Sequence, residues 1–313
     1  MHKYWQGKRV LVTGGGGFIG ACVVDALRRR GLADPDIVVP RSGSCDLRLP
    51  ENCRQAVRGC NVVIHLAAPT GGIAFSRAHC ASQYRDCTLI NLHMLDAARE
   101  SGVEKFVALG NLLAYPAAAG SPLREESVHD GAVASTHLGI GLAKRDMLAL
   151  AEMYHREFGL SVVNVLAANA YGPRDRFEGT HSHVIPATIV KCCRDEDLVV
   201  WGDGSPTRDF LFVEDVAEGI LLAAERLEPP GYLNLASGTE ISIADLVKQI
   251  AALCGFRRRI VFDAAKGGGD PRRVASTALA DKLIGFSPRV PLQEGLRRTI
   301  GWYRQYIANP AAR

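Results

Sequence analysis

The chain is short of several things, and each shortage excludes a class of function. No stretch approaches the run of about 20 apolar residues that spans a bilayer, so no membrane partner is expected. The opening residues MHKYWQGKRV lack the apolar core of a signal peptide, which places the protein in the cytoplasm and its nine cysteines in a reducing medium. Those cysteines fall at no metal-ligand spacing. Only Cys192 and Cys193 adjoin, so no metal is expected and most of the thiols read as small buried side chains. The net charge of +4 is spread along the chain without a basic tail or an RNA-binding motif, which disfavours nucleic acid and leaves small anions as partners. The densest basic cluster, Arg28, Arg29 and Arg30, closes a helix, where cations complement the dipole. There is no internal repeat, and the one low-complexity stretch, 117–120, reads as a surface loop.

What the chain does have is a core. Its 313 residues are 47% hydrophobic and 22% charged, enough for one large domain with a smaller lobe. Residues 9–20 read RVLVTGGGGFIG: an apolar run that suits a strand buried on both faces, then Gly14, Gly17 and Gly20 at the spacing GxxGxxG, then an amphipathic helix over 21–30. The physical reading is a tight turn at Gly14, backbone amides near a pyrophosphate at Gly17 with Phe18 and Ile19 opening the helix, and close helix packing at Gly20.

Strands over 36–39, 61–66 and 105–109 alternate with helices over 51–58 and 89–101, a rhythm that means a parallel sheet. The expected fold class is α/β, a Rossmann-type doubly wound parallel sheet with a smaller C-terminal substrate-binding lobe. The sheet domain is expected over 1–172 with a returning segment near 208–236, and the lobe over 173–207 and 237–313. After the second strand the sequence reads PRSGS, without the acidic residue that would hold a ribose 2′-hydroxyl. Arg41 and Ser42, with Ser44, favour the 2′-phosphate of NADP over NAD.

The motifs TGGGGFIG, HLAA, NAYGPRDRF, SHVIPA, VVWGDGSPTRDFLFVEDVA and IVFDAAKGGGDPRR run nearly end to end. Through them the chain resembles the extended short-chain dehydrogenases/reductases, the NAD-dependent epimerase/dehydratase group, and within it the GDP-L-fucose synthase family. The resemblance implies reduction and epimerisation of a GDP-linked 4-keto-6-deoxy sugar with NADPH. It adds Asp46, Leu47, Leu66, Ala67, Ala68, Lys144 and Asn169 to the cofactor site. That family pairs its subunits through two long helices, here over 89–101 and 139–158, so a homodimer is expected, with Leu92, Leu95, Leu148 and Leu150 as candidate contacts.

The catalytic set implied by the resemblance is a tyrosine that protonates the sugar oxygen, a lysine one turn later, a serine beside the same oxygen, and a cysteine and histidine that move protons at neighbouring carbons. Lys144 matches the lysine. Four residues earlier, on the same helix face, stands Ile140, which has no proton to give. Asn111 occupies the serine position and Leu113 the cysteine position, and only His183 keeps its family identity. His137, three residues before Ile140, and Tyr115, expected at the cleft mouth, are the candidate substitutes, and Lys144 in a partly dry cleft is a candidate base.

At the nucleotide end the motifs imply Lys191, Arg208 and Lys266 as cations for the diphosphate, with Trp201 either stacking on the base or filling the core. Asp215 reads as a helix cap. Three functions stay open: an NADP-dependent oxidoreductase or epimerase of a nucleotide sugar with a rewired donor, a dehydration or isomerisation of a similar substrate using Lys144 or His183, and a catalytically silent protein that binds both ligands and acts by association.

Overall fold

In the computed structural model the described residues are 3–177, 182–194, 197–266 and 271–308. The chain opens with β1 (Val10–Thr13), α1 (Phe18–Arg29), β2 (Ile37–Val38), α2 (Pro50–Val57), β3 (Val62–His65), α3 (Ile73–Ala78), α4 (Cys80–Glu100), β4 (Lys105–Asn111), α5 (Leu138–Phe158), β5 (Val162–Ala167) and β6 (Asn169–Tyr171). It continues with α6 (Val184–Arg194), β7 (Leu198–Trp201), β8 (Thr207–Arg208), β9 (Phe210–Phe212), α7 (Val213–Arg226), β10 (Tyr232–Leu235), β11 (Ile241–Ser242), α8 (Ile243–Cys254), β12 (Ile260–Asp263), β13 (Arg272–Arg273), α9 (Ala278–Ile284) and α10 (Leu292–Ala308).

Six strands form one parallel sheet in the order β10-β5-β4-β3-β1-β2. The uninterrupted apolar runs of these strands have a simple cause, since each strand feeds two cores at once. Val10 and Val12, Val62 and Ile64, and Val163 and Val165 point into the layer filled by α1, α7 and α9. Leu11, Val63, Phe106 and Val162 point the other way, into the layer filled by α2, α4 and α5. Alternation with period two on a sheet covered on both faces favours apolar residues at nearly every position, which is what a doubly wound fold demands. Burying each such side chain contributes roughly 1.5–3 kcal/mol. Among the described residues no helix is long and apolar enough to cross a membrane.

A separate core holds the rest of the chain together. Ile185 and Ile189 of α6, Leu198 and Val200 of β7, Leu246 and Ile250 of α8, and Leu296 and Ile300 of α10 are buried in it. β7 pairs with β12 in parallel, so the preceding helices α6 and α8 lie side by side and end at the same edge. The α8 start is fixed by the Ser242 hydroxyl, which accepts from Asp245 N at 3.0 Å.

Several boundaries and roles differ from the sequence reading. The fourth helix begins at Cys80 rather than 89, and the short α3 before it carried no sequence signal strong enough to separate it from a loop. Arg30 does more than complement a helix dipole. Buried, it donates to Glu225 at 2.9 Å and Glu218 at 3.0 Å and so bolts α1 to α7. Asp215 does not cap α7 but accepts from the backbone of Arg289 and Val290 at 3.1 and 3.0 Å. Leu95 and Leu148 are committed to the core, and the exposed large apolar side chains on α4 and α5 are Tyr84, Leu138, Met153 and Phe158.

One buried polar chain crosses the sheet next to the glycine turn. The Thr13 hydroxyl lies 2.9 Å from His65 Nδ1, and His65 Nε2 lies 3.2 Å from the Asn91 side-chain oxygen. A carboxamide oxygen only accepts, so Nε2 carries the proton and the Thr13 hydroxyl donates to Nδ1. Burial, helped by the nearby Lys144 ammonium, pushes the His65 imidazole down to about 3. At pH values above about 6.5 the ring is neutral folded or unfolded and pH has no leverage. Below it the unfolded chain binds a proton that the folded chain refuses, so stability is lost as pH falls towards the folded value. Between pH 7 and 5 the protein should therefore lose roughly 2 kcal/mol more stability than a His65→Gln variant. Denaturant titrations at stepped pH measure this, and equal slopes for the two proteins would show that His65 is not the source.

Candidate cofactor and substrate site

The site is built on the turn between β1 and α1. Gly14 has φ +68°, a backbone state glycine adopts without strain, and a Cβ there would stand 3.1 Å from Ala67 N. At Gly20 a Cβ would collide with the Gly14 carbonyl oxygen, so α1 lies against the turn only because that position is bare. Gly17 is the extended N-cap and no side chain caps the helix, which leaves the first amides of α1, around Phe18 and Ile19, for an anion. Arg41 folds back over this turn, with its Nη1 occupying the space a Gly16 Cβ would need. The bare turn, the uncapped helix and the guanidinium beside them fit a dinucleotide.

The remaining cofactor candidates divide. Ser42 is exposed beside Arg41. The Asp46 carboxylate is chelated by Arg48, at 2.7 Å from Nη2, and is held down to about 2 by that partner. Leu47 is buried in the core rather than presented to a ligand. The Leu66 and Ala67 amides donate to the Thr13 hydroxyl at 3.1 and 3.2 Å, which sets the shape of the loop that carries Ala68. Asn169 spends its side-chain amide on the Asp209 carbonyl at 2.9 Å, so it ties β6 to β9.

Ile140, set at the tyrosine position by the resemblance, is 3% exposed and packs with Cys87, Ala143, Ala68 and Leu113. Residues 140 and 113 thus lie in a single apolar cluster. Lys144 is buried beside it and donates to the Leu109 carbonyl at 2.6 Å, and desolvation lowers its pKa. Asn111 uses its carboxamide oxygen to cap the short turn Leu112–Ala114, accepting from Leu113 N at 3.1 Å, so its NH2 is the group left for a ligand.

The proposed substitutes fare differently. Tyr115 is not at the cleft mouth. It is fully buried, its hydroxyl donates to the Asn234 side chain at 2.8 Å, and burial pushes its pKa well above the ordinary phenol range, so it is a wall. His137 is the half-buried N-cap residue of α5, with Nδ1 3.0 Å from the Thr136 hydroxyl. His183 immediately precedes α6 with a side chain 55% exposed, and its Nδ1 lies 3.7 Å from Asp175. Asp175 is buried, and its second oxygen has no partner. The neighbouring Arg176 donates to the Thr70 carbonyl at 3.2 Å, which brings this segment against the loop after β3. At this distance the carboxylate makes no hydrogen bond with the imidazole and attracts it only once the ring is protonated.

At the far end Trp201 is 66% exposed at the tip of β7, which rules out the core-filling role. The Lys191 ammonium donates to the Val199 carbonyl at 2.8 Å, so it fastens α6 to β7. Arg208 lies on β8 with Nη1 2.7 Å from the Thr207 carbonyl. Lys266 closes a short turn, and its side chain lies outside the described residues. The sequence reading missed Arg273. β13 pairs in parallel with β8 in a register that sets Arg273 opposite Arg208, and the buried Arg273 guanidinium donates to the Leu112 carbonyl, next to the Asn111 turn. The signal available was the DPRR that closes the last motif. No cluster of three or more His, Cys, Asp or Glu side chains able to hold a metal occurs among the described residues.

The model of the NAD dependent epimerase/dehydratase family matches residues 10–236. The chain belongs to that family. Among its relatives, GDP-L-fucose synthase of Sinorhizobium fredii (strain NBRC 101917 / NGR234) is 31% identical over 315 residues, covering 98% of each chain. GDP-L-fucose synthase of Escherichia coli (strain K12) is 29% identical over 95% of this chain and 96% of that one. Of solved structures, the Thermotoga maritima UDP-glucose 4-epimerase with UDP-glucose superposes with TM-score 0.87 at 26% identity, covering 96% of this chain and 99% of that one. A Naegleria fowleri GDP-L-fucose synthetase bound to NADP superposes with TM-score 0.86 at 24% identity over 97% and 96%, a likeness of fold. The family is the one its motifs suggested.

Proposed function

We propose that the protein binds NADP(H) and a nucleotide-linked keto-deoxy sugar, of the GDP type, and moves protons at the carbon beside the ketone through His183, with carbonyl reduction held low. The observation behind this reading is the apolar cluster of Ile140 and Leu113 with a buried Lys144, together with an accessible His183 at the start of α6. Loss of a positioned general acid costs about 10²–10⁴-fold, whereas abstraction next to a carbonyl needs only an oriented base. His183 takes a proton from that carbon and returns one. Arg208 supplies a cation for the diphosphate, and exposed Trp201 a face for the base. NADP(H), when bound, supplies hydride chemistry. Lys144 and the Asn111 NH2 position the sugar oxygen beside it.

A silent, associating protein is the second reading, favoured by the way Lys144, Asn111 and Lys191 spend their polar groups on the chain's own backbone. Incubation with GDP-4-keto-6-deoxymannose in D2O distinguishes them. Deuterium should appear beside the ketone in the wild type and fall at least about 100-fold in His183→Gln, while NADPH oxidation stays slow. Ile140→Tyr with Asn111→Ser should raise NADPH oxidation. Absence of exchange with the sugar bound would support the associating protein, and brisk reduction by the wild type would overturn the reading of Ile140.

The cofactor preference rests on Arg41 over the glycine turn and the lack of an acidic residue after β2. Calorimetry should find NADP(H) bound at least about 10-fold tighter than NAD(H), with Arg41→Ala erasing the difference, as loss of one charge-assisted phosphate contact would. An unchanged preference in that variant would defeat this assignment.

The protein is further read as a cytoplasmic homodimer, since all nine cysteines are unpaired and Tyr84, Met153 and Phe158 crop out on the α4 and α5 surfaces. Sedimentation at micromolar concentration should show twice the 33.7 kDa chain mass, and Met153→Glu should give monomer. A monomeric wild type would remove the dimer.

A further inference from the structure

Three cationic side chains converge on the segment 109–114, each donating to a different backbone carbonyl. Lys144 donates to the Leu109 carbonyl at 2.6 Å, Arg145 to the Ala114 carbonyl at 2.7 Å and the buried Arg273 to the Leu112 carbonyl. Of the three contacts, the one from Arg273 has an onward path. The Leu112 carbonyl belongs to the same peptide group as the Leu113 amide, and that amide donates to the Asn111 side-chain oxygen at 3.1 Å. The Asn111 carboxamide is thus a second amide in line, and the series ends at its NH2.

We infer that Arg273 is a positioning residue that acts through these two amides and makes the Asn111 NH2 a strong donor to the ketone oxygen of the sugar. A cation on an amide oxygen draws electron density from the amide nitrogen, so the N–H beyond it carries more positive charge. Hydrogen bonds in series strengthen one another in this way by roughly 10–30% each, most of all where water is excluded, as it is around Arg273 and Leu112. A guanidinium at the head of the series adds the strength of a charge-assisted bond. The inference rests on the proton transfer proposed above. When His183 takes the proton from the carbon beside the ketone, the C–H electron pair becomes the C=C bond of an enolate and the carbonyl π pair moves onto the oxygen. Return of the proton reverses both shifts, with no net oxidation. Charge therefore develops at the ketone oxygen, and Ile140 has no hydroxyl to protonate it. A donor fixed in advance and strengthened from behind stabilises that charge without giving up its proton.

Deuterium exchange beside the ketone of GDP-4-keto-6-deoxymannose should fall about 100-fold in Asn111→Ala and about 10-fold in Arg273→Met, with Arg273→Lys recovering most of the loss. Combining Asn111→Ala with Arg273→Met should cost no more than about 2-fold beyond Asn111→Ala alone, because the relay then has nothing to act on. Losses that multiply would show Arg273 supporting the fold and nothing more, and would overturn the inference. A measurement without turnover keeps this apart from a failure of the exchange itself. With the ketone carbon labelled by carbon-13, the infrared C=O stretch should move to lower frequency on binding and return towards its free value in Arg273→Met, at unchanged GDP affinity. Arg273→Gln, which leaves a neutral donor in the same space, should show the same return if the Met variant does not fold. A shifted stretch without exchange would remove the proton transfer and leave the relay standing. A stretch equal in the wild type and in these variants would overturn the relay, and a protein that binds no ketosugar would remove both.

Discussion

The Thr13 hydroxyl is a small group on which the geometry of the whole site depends. It accepts the Leu66 and Ala67 amides and donates to His65, so the ends of β1 and β3 are locked at one height. Only from that height does the loop after β3 pass close enough to Gly14 to exclude a Cβ, and only then does it present Ala68 to Ile140. The hydroxyl uses its hydrogen and both lone pairs. A buried polar group so fully engaged orders its surroundings without leaving an uncompensated donor or acceptor.

Ile140 and Leu113 belong together physically. With Ala68 and Cys87 beside them, the pair forms a small dry cluster that stabilises the start of α5. Lys144 then sits at the border between that cluster and the sheet, where burial lowers its pKa and the Leu109 carbonyl takes its proton donor.

The sheet was legible because its code is local. Val10, Leu11 and Val12 need no partner to announce a strand covered on both faces, and glycine spacing announces the turn. That 140 and 113 are apolar was also legible, and the structure packs them in one cluster. Side-chain commitments were not. Nothing near Tyr115 in the sequence reveals that Asn234 waits beneath it, and Asp215 could not be known to hold Arg289 and Val290, because these partners are long-range. Lys191 looked like a ligand cation because its partner carbonyl on β7 carries no sequence signature. Arg273 was passed over for the converse reason, as a two-residue strand leaves no periodic pattern.

The position of β10 has a consequence for how the molecule comes into being. This strand occupies one edge of the six-stranded sheet, beside β5, yet it follows α6, β7 and α7 in the chain. A ribosome therefore releases the first five strands of the sheet while the β5 edge still shows unpaired amides and carbonyls, and it must make much of the lobe before the strand that covers them emerges. The nascent chain carries a temporarily open edge, and the long loop closed by the β10–β5 pairing makes that last step entropically slow. Its completion is then a joint event for sheet and lobe, since Asp209 at the entrance to β9 accepts from Ser237 and Gly238, just past β10.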